Sequence, residues 1–384
     1  MNRRQLLGGA AAGAAGLFSA AGWAMPAGSP RLLILFLRGG YDSASLLVPQ
    51  ANDFYRRSRP GIAIAPDRQR PLADGWALNA VADPLLPLWN RRQLAFIPFA
   101  GSPDLSRSHF ETQDIIEFGY PGRNRAATSG FMNRLAVEIG ARGTAMAFTQ
   151  KLPIAMRGSL VIPNSDLGQR SALSAGRQAA IAAMYAGDAQ LGEQVSAGMG
   201  AGAAVSAALQ REMATSGRDA RGVAAFEANA QRIGLLMRDR IALGFADIGG
   251  WDTHVGQAGG LDYRLGVLAR GLSNLAGAMG PAWRDTAVLV ISEFGRTFRQ
   301  NGSQGTDHGH GTAFLLLGGA VAGGRIAGRQ QKVNEAMLHQ NRDFPVLNDG
   351  RDVMGALFAR LYGLGPAAVQ RIFPASRPQE LALL

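Results

Sequence analysis

The sequence predicts an α/β fold, a doubly wound and mostly parallel sheet with helices on both faces. Three features carry this reading. Long apolar runs without polar alternation recur, as in Leu32–Leu37 and Thr286–Ser292, and such runs belong to strands buried on both faces. Helix-patterned segments lie between them, the order that lays strands parallel. Acids and histidines gather directly after the runs, and open α/β sheets bind ligands outside the carboxyl ends of their strands.

The elements follow in chain order. Asn2-Arg3-Arg4-Gln5-Leu6-Leu7, the Ala/Gly-rich stretch Gly8–Ala21 and Gly22-Trp23-Ala24 read as a signal peptide with a paired arginine. Residues 1–24 are therefore expected to be a twin-arginine signal cleaved near Ala24, and the mature protein is expected in the periplasm or otherwise exported. The translocase would be a partner during export. The apolar stretch is too short and too rich in Ala and Gly for a stable membrane span.

Residues 31–384 are expected to form one domain. Arg31–Leu37 reads as a buried strand running into Arg38-Gly-Gly-Tyr-Asp42. Gln93–Phe99 is a second strand, followed by Gly101-Ser102-Pro103 and a helix from about Ser108 to Phe118. Ala145–Thr149 and Ile154–Met156 are shorter strand candidates. Residues 173–240 are Ala-rich with apolar residues at helical spacing, a pattern for an insertion of two or three helices. Arg240–Ala246 returns to strand and ends in Gly249-Gly-Trp-Asp-Thr-His254. A helix is expected over about Asp262–Met279. The strand Thr286–Ser292 then runs into Glu293-Phe-Gly-Arg-Thr297, and strand Thr312–Leu317 and helix Asp352–Tyr362 follow.

Composition narrows the chemistry. The chain of 384 residues has no cysteine, which excludes disulfides, thiolate metal sites and cysteine nucleophiles. Its net charge is +11, but the arginines are scattered and no basic stripe with interleaved aromatics is present, so nucleic acid is not an expected partner. The same charge suits a small anionic ester or an anionic envelope polymer. A dinucleotide-binding oxidoreductase has no support, because Gly39-Gly40 alone is not the fingerprint.

Four of the five histidines fall in loops after strands: His109, His254, His308 and His310. The exception is His339. Asp252 precedes His254 by two residues, and Asp307 stands directly before His308. Asp42 and Glu293 also follow apolar runs. Imidazole and carboxylate together suit divalent metals. Ser108, with Glu111 three residues on, matches a capping box. A helix start there would also stabilise a developing alkoxide. Ser108 is therefore either a cap or a nucleophile, with Ser106 as the alternative nucleophile and Arg107 or Arg38 as clamp for an anionic oxygen.

Together the paired-arginine signal, Leu37–Asp42, Ser106–Phe110, Gly249–His254, Ser292–Thr297 and Gly305–Gly311 resemble the twin-arginine-exported domain of unknown function 1501 family. That family is grouped with the alkaline phosphatase and sulfatase-like superfamily. The resemblance implies an alkaline-phosphatase-like fold, one or two divalent metals (zinc, manganese, calcium or magnesium) and hydrolysis of phosphate or sulfate esters. It implies Asp42, Asp252, His254, Asp307, His308 and His310 as metal candidates and Ser108 as the nucleophile; Glu293, where its strand ends, joins the metal candidates, and Arg107 and His109 beside Ser108 complete the expected catalytic set. Asp-x-His at 252–254 departs from the superfamily's Asp-x-x-x-His, and the Asp-His-Gly at 307–309 arrives about a dozen residues after its strand. A formylglycine sulfatase made from cysteine is excluded. The alternative is a non-catalytic periplasmic binding or assembly protein that retains the fold.

Overall fold

The computed structural model describes residues 28–384, apart from 142, 168–174, 186, 189–190, 197 and 201–222. The expected signal and part of the 173–240 insertion lie outside the described residues.

Strands β1 (Arg31–Leu37), β5 (Leu94–Gly101), β6 (Ala145–Phe148), β7 (Leu243–Ile248), β8 (Thr286–Ser292), β9 (Thr312–Leu317) and β10 (Arg325–Ile326) form one sheet in the order β10-β5-β9-β8-β1-β7-β6, with β11 (Asn348–Asp349) also on β5. β2 (Leu47–Pro49), β4 (Trp76–Asn79) and β3 (Gln69–Pro71) make a small antiparallel sheet. These strands of three or four residues are too short to show a periodic pattern in the sequence.

β1 is at the centre and every residue of it is buried. Its side chains alternate between two cores, as a strand's geometry requires. Leu33, Leu35 and Leu37 face one, with the helices Val223–Asp239 and Gln257–Met279 over them. Leu32, Ile34 and Phe36 face the other, which includes Ile116, Phe131, Leu135, Val353 and Phe358 from the helices His109–Phe118, Phe131–Glu138 and Gly350–Tyr362. This double burial is why the strand reads as an unbroken apolar run. Full burial of each such side chain contributes about 1.5–3 kcal/mol.

The sheet is α/β with helices on both faces, and mostly parallel. β9 is antiparallel to both β5 and β8. No helix lies between Ser292 and Thr312, so the chain leaving β8 never crosses to the far edge and must run back. That reversal places the start of β9 beside the ends of its neighbours. Thr312 pairs with Ala100, while Leu37 pairs with both Ile248 and Ser292. Four segments therefore reach one edge: those after β1, β5 and β7, and the one that joins β8 to β9.

Two expectations change. Ile154–Met156 is a 3-10 turn rather than a strand; it follows Pro153, and a run this short cannot be told from a turn by its apolar content. The helix expected from Asp262 begins at Gln257, after Gly256 in the left-handed region. The described part of 173–240 includes the helices Ala175–Met184 and Val223–Asp239. Val223, at the start of the second, comes close to Gly250: a Cβ there would lie 3.7 Å from its Cγ2. Among the described residues no helix is long and apolar enough to cross a membrane.

Candidate metal centre

Three imidazoles and one carboxylate meet at the shared edge. His308 Nε2 lies 3.0 Å from His109 Nε2 and 3.1 Å from His254 Nε2. Asp252 Oδ1 stands 2.9 Å from His254 Nε2 and 3.2 Å from His308 Nε2, and its Oδ2 is 3.4 Å from His109 Nε2. Each donor comes from a different post-strand segment, except that Asp252 and His254 share the one after β7.

The far nitrogen of each ring fixes its tautomer. His308 Nδ1 is 2.9 Å from the carbonyl oxygen of Arg107, which can only accept. His109 Nδ1 donates to Glu293 Oε1 at 2.8 Å, and His254 Nδ1 donates to Asp307 Oδ1 at 3.2 Å. In the neutral rings the three Nε2 atoms therefore carry lone pairs, those of His109 and His254 each facing that of His308. Lone pairs at 3.0 Å repel unless a proton or a cation sits among them.

The set fits a metal. Histidine ligands to metals characteristically give their other N–H to a carboxylate or a backbone carbonyl, the arrangement at all three rings. Donors bonded at about 2.0–2.1 Å in a tetrahedron stand about 3.3 Å apart, close to the separations of His308 and Asp252 from each other and from the two remaining rings. Three imidazoles with one carboxylate favour zinc, manganese or iron-type ions over calcium or magnesium, which prefer all-oxygen sites.

Two of the supports, Glu293 and Arg296, are buried and engaged. Glu293 is inaccessible to solvent; its Oε1 also accepts from Gly39 N at 2.7 Å and Gln113 Nε2 at 2.8 Å. Burial pushes its pKa up, but the hydrogen bonds from His109, Gln113 and Gly39 win and hold it below the usual range. The bond to Glu293 raises His109, against burial, whereas burial lowers His308. Asp252 is also lowered: burial acts upward, but the Arg296 guanidinium outweighs it. Arg296 is buried, bonding Asp252 and Thr306. Asn301 bonds both Asp307 and the carbonyl of His254, at 3.1 and 2.9 Å. Gly39 has φ +123°, and a Cβ there would lie 2.6 Å from the amide nitrogen of Asp252, so only glycine lets the β1 and β7 loops come this close.

The structure brings together four of the expected residues, His109, Asp252, His254 and His308, with His109 Nε2 turned toward His308 and Asp252. Glu293 and Asp307 turn to the far nitrogens of two rings and orient them. Asp42 is not brought to the cluster. It is buried with Arg59 Nη1 and Nη2 at 2.6 and 2.9 Å, and also accepts from Ser45 and Gln257. Its lone pairs are spent on those partners. His310 turns away into a separate cleft of 430 Å³ that it lines with His339 and Arg329, and burial lowers its pKa to about 4.

Arg107 contributes its carbonyl, while its guanidinium is held by Asp343 and Gln340. Arg38 is likewise paired with Asp247, Gln113 and Glu117. Neither is free to clamp an anion. Ser106 donates to Asp104 at 2.6 Å. Ser108 caps the helix His109–Phe118, accepting from Glu111 N. The Glu111 carboxylate pairs with Arg123 rather than closing a capping box. Arg296 was the functional residue missed by sequence reasoning. Its only signal was its place in the Glu293–Thr297 stretch, because an arginine so near a strand end reads equally well as solvated.

Residues 98–373 match the family described as "Protein of unknown function (DUF1501)". No curated protein matches the chain. Among solved structures it is similar to a protein in the alkaline phosphatase superfamily from Vibrio parahaemolyticus, at 9% identity over 88% of this chain and 68% of that one, with a TM-score of 0.40. It is also similar to Ps i-CgsB in complex with k-i-k-neocarrahexaose, at 12% identity over 88% and 74% of the two chains and a TM-score of 0.38. A third is the zinc complex of the C-terminal periplasmic domain of EcEptC from Escherichia coli, at 10% identity over 77% and 74% and a TM-score of 0.34.

Proposed function

This chain belongs to the DUF1501 family, and we propose that it is a periplasmic, metal-dependent hydrolase of phosphate or sulfate esters. One observation carries the proposal: the neutral-tautomer Nε2 lone pairs of His109 and His254 converge on that of His308 beside the Asp252 carboxylate, with no proton donor between the rings. The periplasmic part rests on the paired-arginine amino terminus.

His109, His254, His308 and Asp252 would hold one divalent ion, zinc or manganese by the donor set. Such an ion supplies Lewis-acid stabilisation of an ester oxygen and lowers the pKa of a hydroxyl beside it. Glu293, Asp307 and the Arg107 carbonyl keep the rings neutral at Nε2. Arg296 holds Asp252 in place. Ser108 is the nucleophile of this reading. Its oxygen accepts from Glu111 N and so keeps its own proton to give, and the N-terminal end of its helix favours negative charge on the incoming ester. Its Oγ forms a bond to phosphorus or sulfur as the bond to the alcohol oxygen breaks, and the serine proton leaves with the alcohol. Water then cleaves the serine ester and restores the hydroxyl.

The test is a pair of purified variants. His308→Ala is expected to lose metal and turnover together. Ser108→Ala is expected to keep metal and lose turnover of an aryl phosphate and an aryl sulfate, at a stability cost of about 0.5–2 kcal/mol for the lost cap. Full activity in Ser108→Ala would transfer the attack to water. Metal-loaded wild type inert to both esters would overturn the hydrolase and leave a metal-holding binding or assembly protein.

A further inference from the structure

A carboxylate well outside the cluster is tied to it by a short chain of contacts. Asp343 is inaccessible to solvent. Its Oδ2 accepts from Arg107 Nη2 at 2.8 Å and from Arg107 Nε at 3.2 Å, and Arg342 Nη1 stands 3.6 Å from the same oxygen. Its Oδ1 is buried with no hydrogen-bond partner. The carbonyl of Arg107 is in turn the group that His308 Nδ1 meets at 2.9 Å. Asp343 itself makes no hydrogen bond to any of the four donors.

Arg107 needs holding. Its φ is +52°, in the left-handed region that glycine, asparagine and aspartate enter readily and an arginine enters at a cost. The contacts to its guanidinium come from far along the chain, from Asp343 and from Gln340 at 2.7 Å. Asp343 is a firm anchor for it. Its backbone pairs with that of His339 in both directions, at 2.8 and 3.1 Å, and bridges to Thr297, whose N–H donates to the carbonyl of Asp307. The anchor therefore stands on the same segment that carries His308. Its neighbour Arg342 donates Nη2 to the His308 carbonyl at 2.9 Å. Two consecutive residues thus grip both sides of the contact, Arg342 at the backbone of His308 and Asp343 at the side chain of Arg107. A buried carboxylate paired with an arginine is weak evidence for stability, because lost hydration offsets most of the attraction. What the pair does supply is a fixed point for a long, flexible side chain.

We infer that Asp343 is a positioning residue of the metal centre: through the Arg107 guanidinium it holds the Arg107 carbonyl against His308 Nδ1, and so keeps His308 Nε2 turned to the other donors. Without that anchor the backbone at Arg107 relaxes from its left-handed conformation, the carbonyl turns away and the His308 ring loses its acceptor. The inference rests on the metal reading of the cluster and is independent of ester hydrolysis and of Ser108.

The experiment is a double-mutant cycle on zinc affinity, with wild type, Asp343→Ala, Arg107→Ala and the double variant titrated against a competing chelator and their metal-free forms checked by thermal melts. Each single variant is expected to bind zinc about tenfold or more weakly, as when a metal-bound histidine loses its outer partner. The double variant is expected to fall within about threefold of the weaker single, since two residues acting through one contact do not add. Losses that multiply would overturn the inference, because Asp343 would then act by another route. So would wild-type affinity in Asp343→Ala. If Asp343→Ala does not fold, Arg107→Ala decides alone: its guanidinium is partly exposed, it keeps its carbonyl, and unchanged zinc affinity would show that the clamp does not hold His308. Cobalt-loaded protein reads the ligands directly. The visible absorption of Arg107→Ala is expected to differ from that of wild type, as a displaced ring requires, and an unchanged spectrum would overturn the inference. Wild type that takes up neither zinc nor cobalt would overturn the metal reading itself, an outcome distinct from wild type that binds both and variants that bind them equally well.

Discussion

Glu293 shows how much a single buried carboxylate sets at this site. It touches no Nε2, yet it decides which nitrogen of His109 carries the proton. Glu293→Gln keeps the shape but removes the charge, and the amide can present either an acceptor or a donor to the ring. Metal affinity is expected to fall about 10–100-fold, the usual effect of losing such a partner, with little change in fold. Competitive metal titration checks it, and wild-type affinity in the variant would show that the Glu293 contact does not matter to the ring. At this scale the sequence was partly legible. His109, Asp252, His254 and His308 stood out because they follow strand ends, where side chains of such chemistry collect. Glu293 and Asp307 stood out for the same reason, but composition cannot tell a carboxylate that binds a cation from one that binds the far side of its histidine. That difference is one of direction.

At the scale of elements, the segment from Glu293 to Gly311 matters most. It packs against the loop after β7 without leaving the edge, and it does so through glycines. A Cβ on Gly305 would lie 2.2 Å from the carbonyl oxygen of His254, a backbone atom that cannot swing aside. Gly305→Ala is therefore expected to push the His254 segment away. The protein should remain folded, with at least about 1 kcal/mol lost and metal affinity reduced more than stability. Thermal melts with and without added zinc read both; unchanged metal-induced stabilisation would mean that the loops part without moving the ring. The direction of β9 belongs here too. Its apolar run identified a strand, but a run has no direction. The absence of a crossover helix is visible in the sequence only once the long stretch before it is known to stay at one edge.

Across the whole molecule, Asp42 and Arg59 tie the loop after β1 to the small sheet's side of the structure. Arg59 also reaches the carbonyls of Thr297 and Phe298, so one buried ion pair joins the loop after β1 to that after β8. Burial pushes the Asp42 pKa up, but the two bonds from Arg59 overcome this and hold it below the usual range. A carboxyl depressed in the folded state stabilises above its unfolded pKa, and that contribution is lost as pH falls through the folded value. Asp42→Asn leaves Arg59 buried without its counter-charge and is expected to cost about 3–5 kcal/mol near neutral pH. Its stability should then fall less than that of wild type between about pH 4 and pH 2, since the unfolded carboxyl titrates near ~3.9. Denaturant unfolding at several pH values measures both, and parallel acid profiles would refute the assignment.

What the sequence by itself determined is the scaffold and the edge. Unbroken apolar runs identify strands buried on both faces, because water on either side would demand alternation; the chemistry follows those runs, because side chains inside them would be buried in a core with no room for charge. Which side chains meet, and by which atom, was decided only by the tertiary structure. His109 and His308 are separated by almost two hundred residues, and their nitrogens face each other because Glu293 and the Arg107 carbonyl turn the rings. Asp42 sits in the same kind of loop as Asp252, yet Arg59, arriving from a segment with no recognisable pattern, takes both of its oxygens. Residue type and spacing specify what a side chain can bind, and the partner that reaches it first in the folded chain specifies what it does.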